Sequence, residues 1–374
     1  MAKRSLLKPE ELALDRESAP FAMLHERLHR WFDQSARPLP WRATTDPYAI
    51  WLSEVILQQT QVVQGTSYYH RFLELFPDVY ALAAASEDEV LHAWQGLGYY
   101  SRGRNLLRAA QMIVADFGGR IPDKLSEIKR LPGVGPYTQA AILSFAYNLP
   151  HAAVDGNVYR VLSRLYADST PIDTPQGQRH YRALAEALLD RNSPGKHNQA
   201  MIELGALVCT PRRADCPSCP LEAFCLAQAQ PNPTAYPIKA GKTKVSNRYL
   251  NYILVQLADG RTLIERRGKG DIWHGLYQFP LIETDGDIPS IEYLFGSGPW
   301  DELLKHLTGV KLNPVACATR QHRLTHRLLH TRLFVLQAEA YTGSAYTTIA
   351  RGELEQYALP ALLTKLLDDA GLAV

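Results

Sequence analysis

The chain is 374 residues long with a formal net charge of +2. That length suits two or three domains, and so small a charge does not by itself mark a nucleic-acid binder. With 46% hydrophobic and 21% charged residues the composition fits a globular protein with sizeable cores, and the lack of any eighteen-residue apolar run excludes a membrane span. The opening stretch MAKRSLLKPEELALDRE has no apolar signal core and carries acids early, which predicts neither secretion nor import. Five cysteines without an evident disulfide framework fit a reducing compartment, so a cytoplasmic location is expected.

Residues 20–208 alternate helical periodicity with short polar breaks. DPYAIWLSEVILQQTQVV, SEDEVLHAWQGL, YSRGRNLLRAAQMIVADF and TPQGQRHYRALAEALLDR each space apolar residues at i, i+3, i+4 and i+7. Asp46-Pro47 and Thr174-Pro175 read as N-cap and first-turn pairs. In the first of these helices Glu54 shares a face with Ile50, Trp51 and Leu57, with Gln58 one turn on. A carboxylate in an apolar stripe is costly unless it is used or paired. Burial would raise its pKa and keep it protonated, as a general acid needs. The plainer alternative is a snorkelling or salt-bridged glutamate.

LPGVGPYT, residues 131–138, falls between two helical segments. Gly133 and Gly135 permit a sharp hairpin, and Pro136 can start the next helix without losing a needed donor. Free N–H groups at that helix start can hold a phosphate. In HAAVDGNVYRVLSRL, residues 151–165, Asp155 stands directly before a helix. On its own it reads as a cap worth ~1 kcal/mol.

Four of the five cysteines then crowd into CTPRRADCPSCPLEAFC. Cys209, Cys216, Cys219 and Cys225 are spaced C-x6-C-x2-C-x5-C. Four soft thiolates in one short stretch point to a metal or a cluster before two disulfides. The x2 pair fits zinc or iron–sulfur, and the longer arms are unlike paired zinc knuckles. AQAQPNPTAYPIKAGKTK is polar and Pro-rich and reads as a linker, followed by β-rich sequence. RYLNYILVQLADGRTLIERR predicts a hairpin about Asp259-Gly260, HTRLFVLQAEA a further strand, and ELLKHLTG and LPALLTKLLDD helices. Arg320 to Arg332 holds four arginines and three histidines with no acid, and Lys239 to Lys269 holds eight Lys or Arg against two acids.

The cysteine spacing, the LPGVG-P-Y-T hairpin and the V-D-G-N-V-Y-R-V helix together resemble the endonuclease III and MutY superfamily of helix-hairpin-helix DNA glycosylases. WLSEVILQQT, the preceding WRATTDPYAIW and GLGYYSRGRNL are similar to its MutY-type adenine glycosylase branch. The resemblance implies a mainly α N-terminal glycosylase (a six-helix barrel module plus an iron–sulfur module) over 1–230, a linker at 231–247, and an α+β Nudix-like domain over 248–374. It implies a [4Fe-4S] cluster on the four cysteines, Asp155 as stabiliser of a sugar cation, Glu54 as the acid protonating adenine at N7, and Tyr137 and Asn157 in support. Tyr137 stands where bifunctional relatives carry a Schiff-base lysine, which implies glycosylase without lyase chemistry. Gln58 is part of the branch motif. Gln59 and Tyr99 match residues that wedge beside the lesion, and Arg42 and Gln199 match residues nearer the flipped base. Thr325 and His326, in LTH where relatives carry F-S-H, would meet 8-oxoguanine, with Leu324 replacing the aromatic. No Nudix box follows ERRGKGDIWHGLYQFP. The expected partner is a DNA duplex bearing 8-oxoguanine·A, bound by a monomer and away from membranes. The rival readings are a glycosylase for another mispair such as G·T, a lesion-binding protein without catalysis, and a Nudix hydrolase with a helical appendage.

Overall fold

A computed structural model describes residues 19–241 and 245–372. The acidic-start segment 1–17, and Lys242 and Lys244 of the second basic run, lie outside the described residues. The chain forms two compact units. The first takes the chain up to Ala83 and resumes at Arg108, taking in the linker as far as Gly241 among the described residues. The second joins Ala84–Leu107 to the described residues from Val245 onward. The helical excursion 84–107 therefore belongs with the C-terminal part, which composition alone did not suggest.

The first unit is helical, and its caps follow the sequence signals. Asp46 accepts from the backbone N–H groups of Tyr48 and Ala49 to start the helix Pro47–Ile56, and Thr174 accepts from Gly177 to start Pro175–Leu188. The predicted long helix over 46–63 is in fact two. It stops at Ile56, passes through Gln59 with φ 57°, and resumes as Val62–Leu75. Gln58 is thus off the helix, not one turn on from Glu54. Helices Ala19–Ser35, Gly156–Leu165, Pro175–Leu188 and Pro194–Leu207 share one apolar core built on Leu24, Leu28, Leu162, Tyr181 and Leu204. The core continues to Leu221, Phe224 and three of the cysteines, so the cysteine loop is anchored by packing on the same helices.

In the second unit the strands are β1 Ser246–Leu257, β2 Arg261–Arg266, β3 Tyr277–Gln278, β4 Leu281–Thr284, β5 Leu307–Thr308, β6 Lys311–Leu312, β7 Ala318–Arg323, β8 Arg327–Ala338, β9 Ala340–Tyr341 and β10 Thr347–Ala350. The Asp259-Gly260 turn forms, with Gly260 at φ 82°, but the strands it joins do not pair. β1 runs parallel to β8 and antiparallel to β4, while β2 pairs with β10 and β3 in another sheet. The reason lies in β1 itself. Leu250 through Val255 are all buried, on both faces, as in a central strand with a parallel neighbour. β7 and β8 make the antiparallel hairpin, and Leu324–Thr325–His326 is its turn. The predicted C-terminal helix is Ala361–Asp369, whereas ELLKHLTG is helical only to Lys305 and then enters β5.

Candidate active site and cysteine centre

A cavity of about 730 Å³ opens in the helical unit. Glu54, Tyr137, Asp155, Asn157, Arg42, Gln58, Gln59, Gly133, Gly135 and Gln199 all line it. These residues are spread over nearly 160 positions of sequence, and their convergence is the fold's main contribution to the site.

Glu54 is 7% exposed. Burial pushes its carboxyl up to about 7, against the hydrogen bond from Tyr137, with the nearby Asp155 adding to the rise and Arg42 opposing it. Tyr137 follows the Gly135 that caps the helix Pro136–Phe145. Burial and the two carboxyl groups push its phenol well above the usual range, so it is a neutral hydrogen-bond donor. Gly133 has φ 75°, which lets the hairpin turn without strain, and no side chain caps the N–H groups at that helix start.

Asp155 caps the helix Gly156–Leu165, and both of its carboxylate oxygens are hydrogen-bonded. Its Oδ1 accepts from the backbone N–H groups of Asn157 at 2.9 Å and Val158 at 2.8 Å, and Oδ2 accepts from Asn157 Nδ2 at 2.7 Å. Burial still outweighs these bonds and raises its pKa. Asn157 Oδ1 accepts from Arg160 Nη2 at 2.7 Å, which fixes the amide so that its NH2 faces the aspartate. Arg160 also donates to Gly205 O at 2.8 Å and to Cys209 O at 2.7 Å. Gly205 is required here: a Cβ at that position would lie 2.6 Å from Asn157 Cβ.

Arg42 lines the cavity, but its guanidinium is already engaged. It forms a fork on Glu203, at 3.0 and 2.9 Å, and donates to Arg37 O. Arg37 grips the same carboxylate. Burial of the fully enclosed Glu203 would raise its pKa, yet the Arg37 and Arg42 hydrogen bonds outweigh it and hold the group at about 2. Sequence reasoning missed Glu203 and Arg37. The signal was there: MIELGAL sets a glutamate in an apolar helical stripe, the same argument that picked out Glu54. It also missed Asn198. This buried amide accepts from Ala153 N and donates to Ser144 Oγ and His151 O, and so holds the extended run leading into Asp155.

The remaining predicted residues stand apart from the cavity lining. Tyr99, half exposed at φ 47°, places its hydroxyl 3.1 Å from Thr325 Oγ1 within the second unit. His326 is exposed on the same turn. Cys209, Cys216, Cys219 and Cys225 line a separate hollow with Arg164. Among the described residues no three Cys, His, Asp or Glu side chains are grouped to hold a single ion.

The donor set of that hollow suits thiolates on an inorganic centre. Arg164 Nη1 reaches Cys209 Sγ at 3.3 Å. Backbone N–H groups of Leu221 point at Cys219, and those of Gln228 and Ala227 at Cys225. Burial pushes the Cys219 thiol up to about 12, so ionising it needs the compensating charge of a metal. The residues therefore fit an iron–sulfur cluster, whose role on this helical core would be to tie the loop together.

Residues 52–186 match the helix-hairpin-helix superfamily of base excision DNA repair proteins, and residues 251–369 match the NUDIX domain. The adenine DNA glycosylase of Buchnera aphidicola from Acyrthosiphon pisum is 31% identical over 304 residues, covering 80% of this chain and 82% of that protein. The human adenine DNA glycosylase is 42% identical over 240 residues, covering 59% of this chain and 44% of its own length. The chain thus spans less than half the length of its mammalian relatives. Among solved structures, a thermostable thymine-DNA glycosylase superposes with a TM-score of 0.51 at 26% identity, over 56% of this chain and 99% of that one. No described helix is long and apolar enough to cross a membrane.

Proposed function

Because the chain belongs to the adenine DNA glycosylase family, we propose that it excises adenine paired with 8-oxoguanine, and adenine from G·A, by hydrolysing the N-glycosidic bond. The observation that carries this reading is the pair of acids in one cavity: Glu54 held near pKa 7 and Asp155 locked by three hydrogen bonds. The base leaves the duplex to reach them. As the C1′–N9 bond breaks, Glu54 gives its proton to adenine, whose ring takes up the departing electron pair. The sugar is left as an oxocarbenium ion, and the Asp155 carboxylate offsets its charge. Water adds to C1′ and releases a proton. Tyr137 steadies Glu54 but, as a phenol, offers no amine to the sugar, so the chain stops at the abasic site.

The hairpin about Gly133 and Gly135 would hold DNA backbone through N–H groups without reading sequence. Gln59 and Gln199 both line the cavity; Gln59 would wedge beside the lesion and Gln199 would meet the flipped base. Tyr99 and Thr325 would face the 8-oxoguanine, with His326 on the same turn. The test is a single-turnover excision assay on 8-oxoguanine·A, G·A and G·T duplexes. Adenine release from the first two, with strand cleavage only after alkali, is expected. Thymine release from G·T, or binding without release, would replace this reading by one of its rivals.

The four cysteines would carry a [4Fe-4S] cluster. The purified protein should be yellow-brown, with about four irons and four sulfides per chain. Stoichiometric zinc without sulfide would overturn the assignment. Cluster loss should weaken duplex binding, since Arg212 and Arg213 sit on the loop that the cluster closes.

A further inference from the structure

Residues 84–107 precede the Asp155 helix in sequence yet pack with the C-terminal strands. Among the contacts that attach them is a cluster about Arg266. Arg266, at the end of β2, donates from Nη2 to Glu87 Oε1 at 3.1 Å and Asp88 Oδ1 at 2.9 Å, at the start of the helix Glu87–Trp94. Its Nε donates to Gly275 O at 3.2 Å, and its guanidinium lies 5.9 Å above the Tyr277 ring. The Tyr277 hydroxyl donates to Asp88 Oδ2 at 3.4 Å. Arg104, in the helix Ser101–Phe117, donates to His274 O from the other side. Between them Gly275, at φ 83°, comes so close that a Cβ would lie 3.0 Å from Glu87 Oε1 and 3.2 Å from Leu91.

What this clasp holds is the link between the two helices. That link contains Gly96 at φ 96° and Gly98 at φ 71°, and ends on Tyr99, whose hydroxyl lies 3.1 Å from Thr325 Oγ1. The turn is bonded to the helices on either side: Trp94 Nε1 donates to Gly98 O at 3.0 Å, and Arg102 Nη2 donates to Gly98 O at 3.2 Å and Leu97 O at 3.3 Å, so its position follows theirs. We propose that Arg266 is a positioning residue for discrimination of the base opposite the adenine: by fixing Glu87 and Asp88 it sets where Tyr99 stands against Thr325. This inference rests on the functional reading above, in which Tyr99 and Thr325 face that base.

The test compares wild type, Arg266→Glu and Arg266→Lys as full-length proteins. Arg266→Glu sets a third carboxylate beside Glu87 and Asp88, while Arg266→Lys keeps one charged donor. The ratio of single-turnover excision rates on 8-oxoguanine·A and G·A should fall about fivefold in Arg266→Glu and recover in Arg266→Lys, with the G·A rate kept within about twofold. Hydrogen exchange of residues 95–100 should quicken in Arg266→Glu at an unchanged melting temperature. An unchanged ratio overturns the proposal. So does a ratio that falls only together with the G·A rate and the melting temperature, which marks a merely structural role. If the wild type releases adenine from neither duplex, the functional reading fails, and exchange alone then decides the clasp: unaltered protection of 95–100 overturns it.

Discussion

Glu54→Gln should lower single-turnover adenine excision by at least about 10²-fold while duplex binding stays close to wild type. The substitution keeps the shape of a side chain that is 7% exposed and removes only its titrating proton. The same proton sets the pH profile. Since burial raises Glu54 to about 7, the acid form prevails below that pH, and wild-type excision should fall about tenfold per unit as pH rises beyond it. Stability follows the same sign. A folded pKa raised above the unfolded value of about 4.5 means the native state holds its proton more tightly, so stability falls as pH rises from about 4.5 to about 7. The shift amounts to about 3 kcal/mol at alkaline pH. Glu54→Gln should therefore melt with wild type at about pH 4 and above it at pH 8. Near-wild-type excision would remove Glu54 from its role, and identical melting at both pH values would overturn its raised pKa.

Asp155→Asn should cost a comparable factor, about 10²-fold or more in the rate, for a different reason. Asparagine is as good a helix cap as aspartate, so the helix Gly156–Leu165 should lose no more than ~1 kcal/mol. In the proposed mechanism, what vanishes is the charge opposite the sugar cation. A second penalty comes from the neighbour. Asn157 directs its NH2 at Oδ2, and its own oxygen is committed to Arg160, so a new amide at 155 meets donor with donor. A variant that keeps its melting temperature to within a few degrees yet excises adenine at the wild-type rate would show that Asp155 is only a cap.

Much of the site was legible because its residues sit in local patterns with a physical meaning. The hairpin needs Gly133, the cap needs Asp155, and a glutamate among Ile50, Trp51 and Leu57 asks to be explained. What escaped was whatever depends on distant partners. Arg42 lines the cavity, but its fork on Glu203 joins residues 161 positions apart. Gly205 looks unremarkable in sequence until Asn157 is seen against it. The hairpin expected about Asp259-Gly260 failed for the same reason. The turn is local, but the partner of β1 is chosen by burial on both its faces, and that partner, β8, lies some seventy residues on.

The connector shows how composition can mislead an experimenter who wishes to dissect the chain. Its polar, Pro-rich sequence invites a cut at residue 231, yet the residues that follow are fastened to the helical unit. Arg164 Nε donates to Tyr236 O at 3.0 Å, Ile172 N donates to Ile238 O at 3.1 Å, and Asp173 accepts from Ala240 N at 2.8 Å. Arg164 is also the residue that reaches Cys209 Sγ, Thr210 O and Pro211 O. Residues 232–241 are thus a buttress for the cysteine loop, and the shorter fragment would be judged unstable for want of ten residues. A glycosylase fragment meant to stand alone should end beyond Gly241.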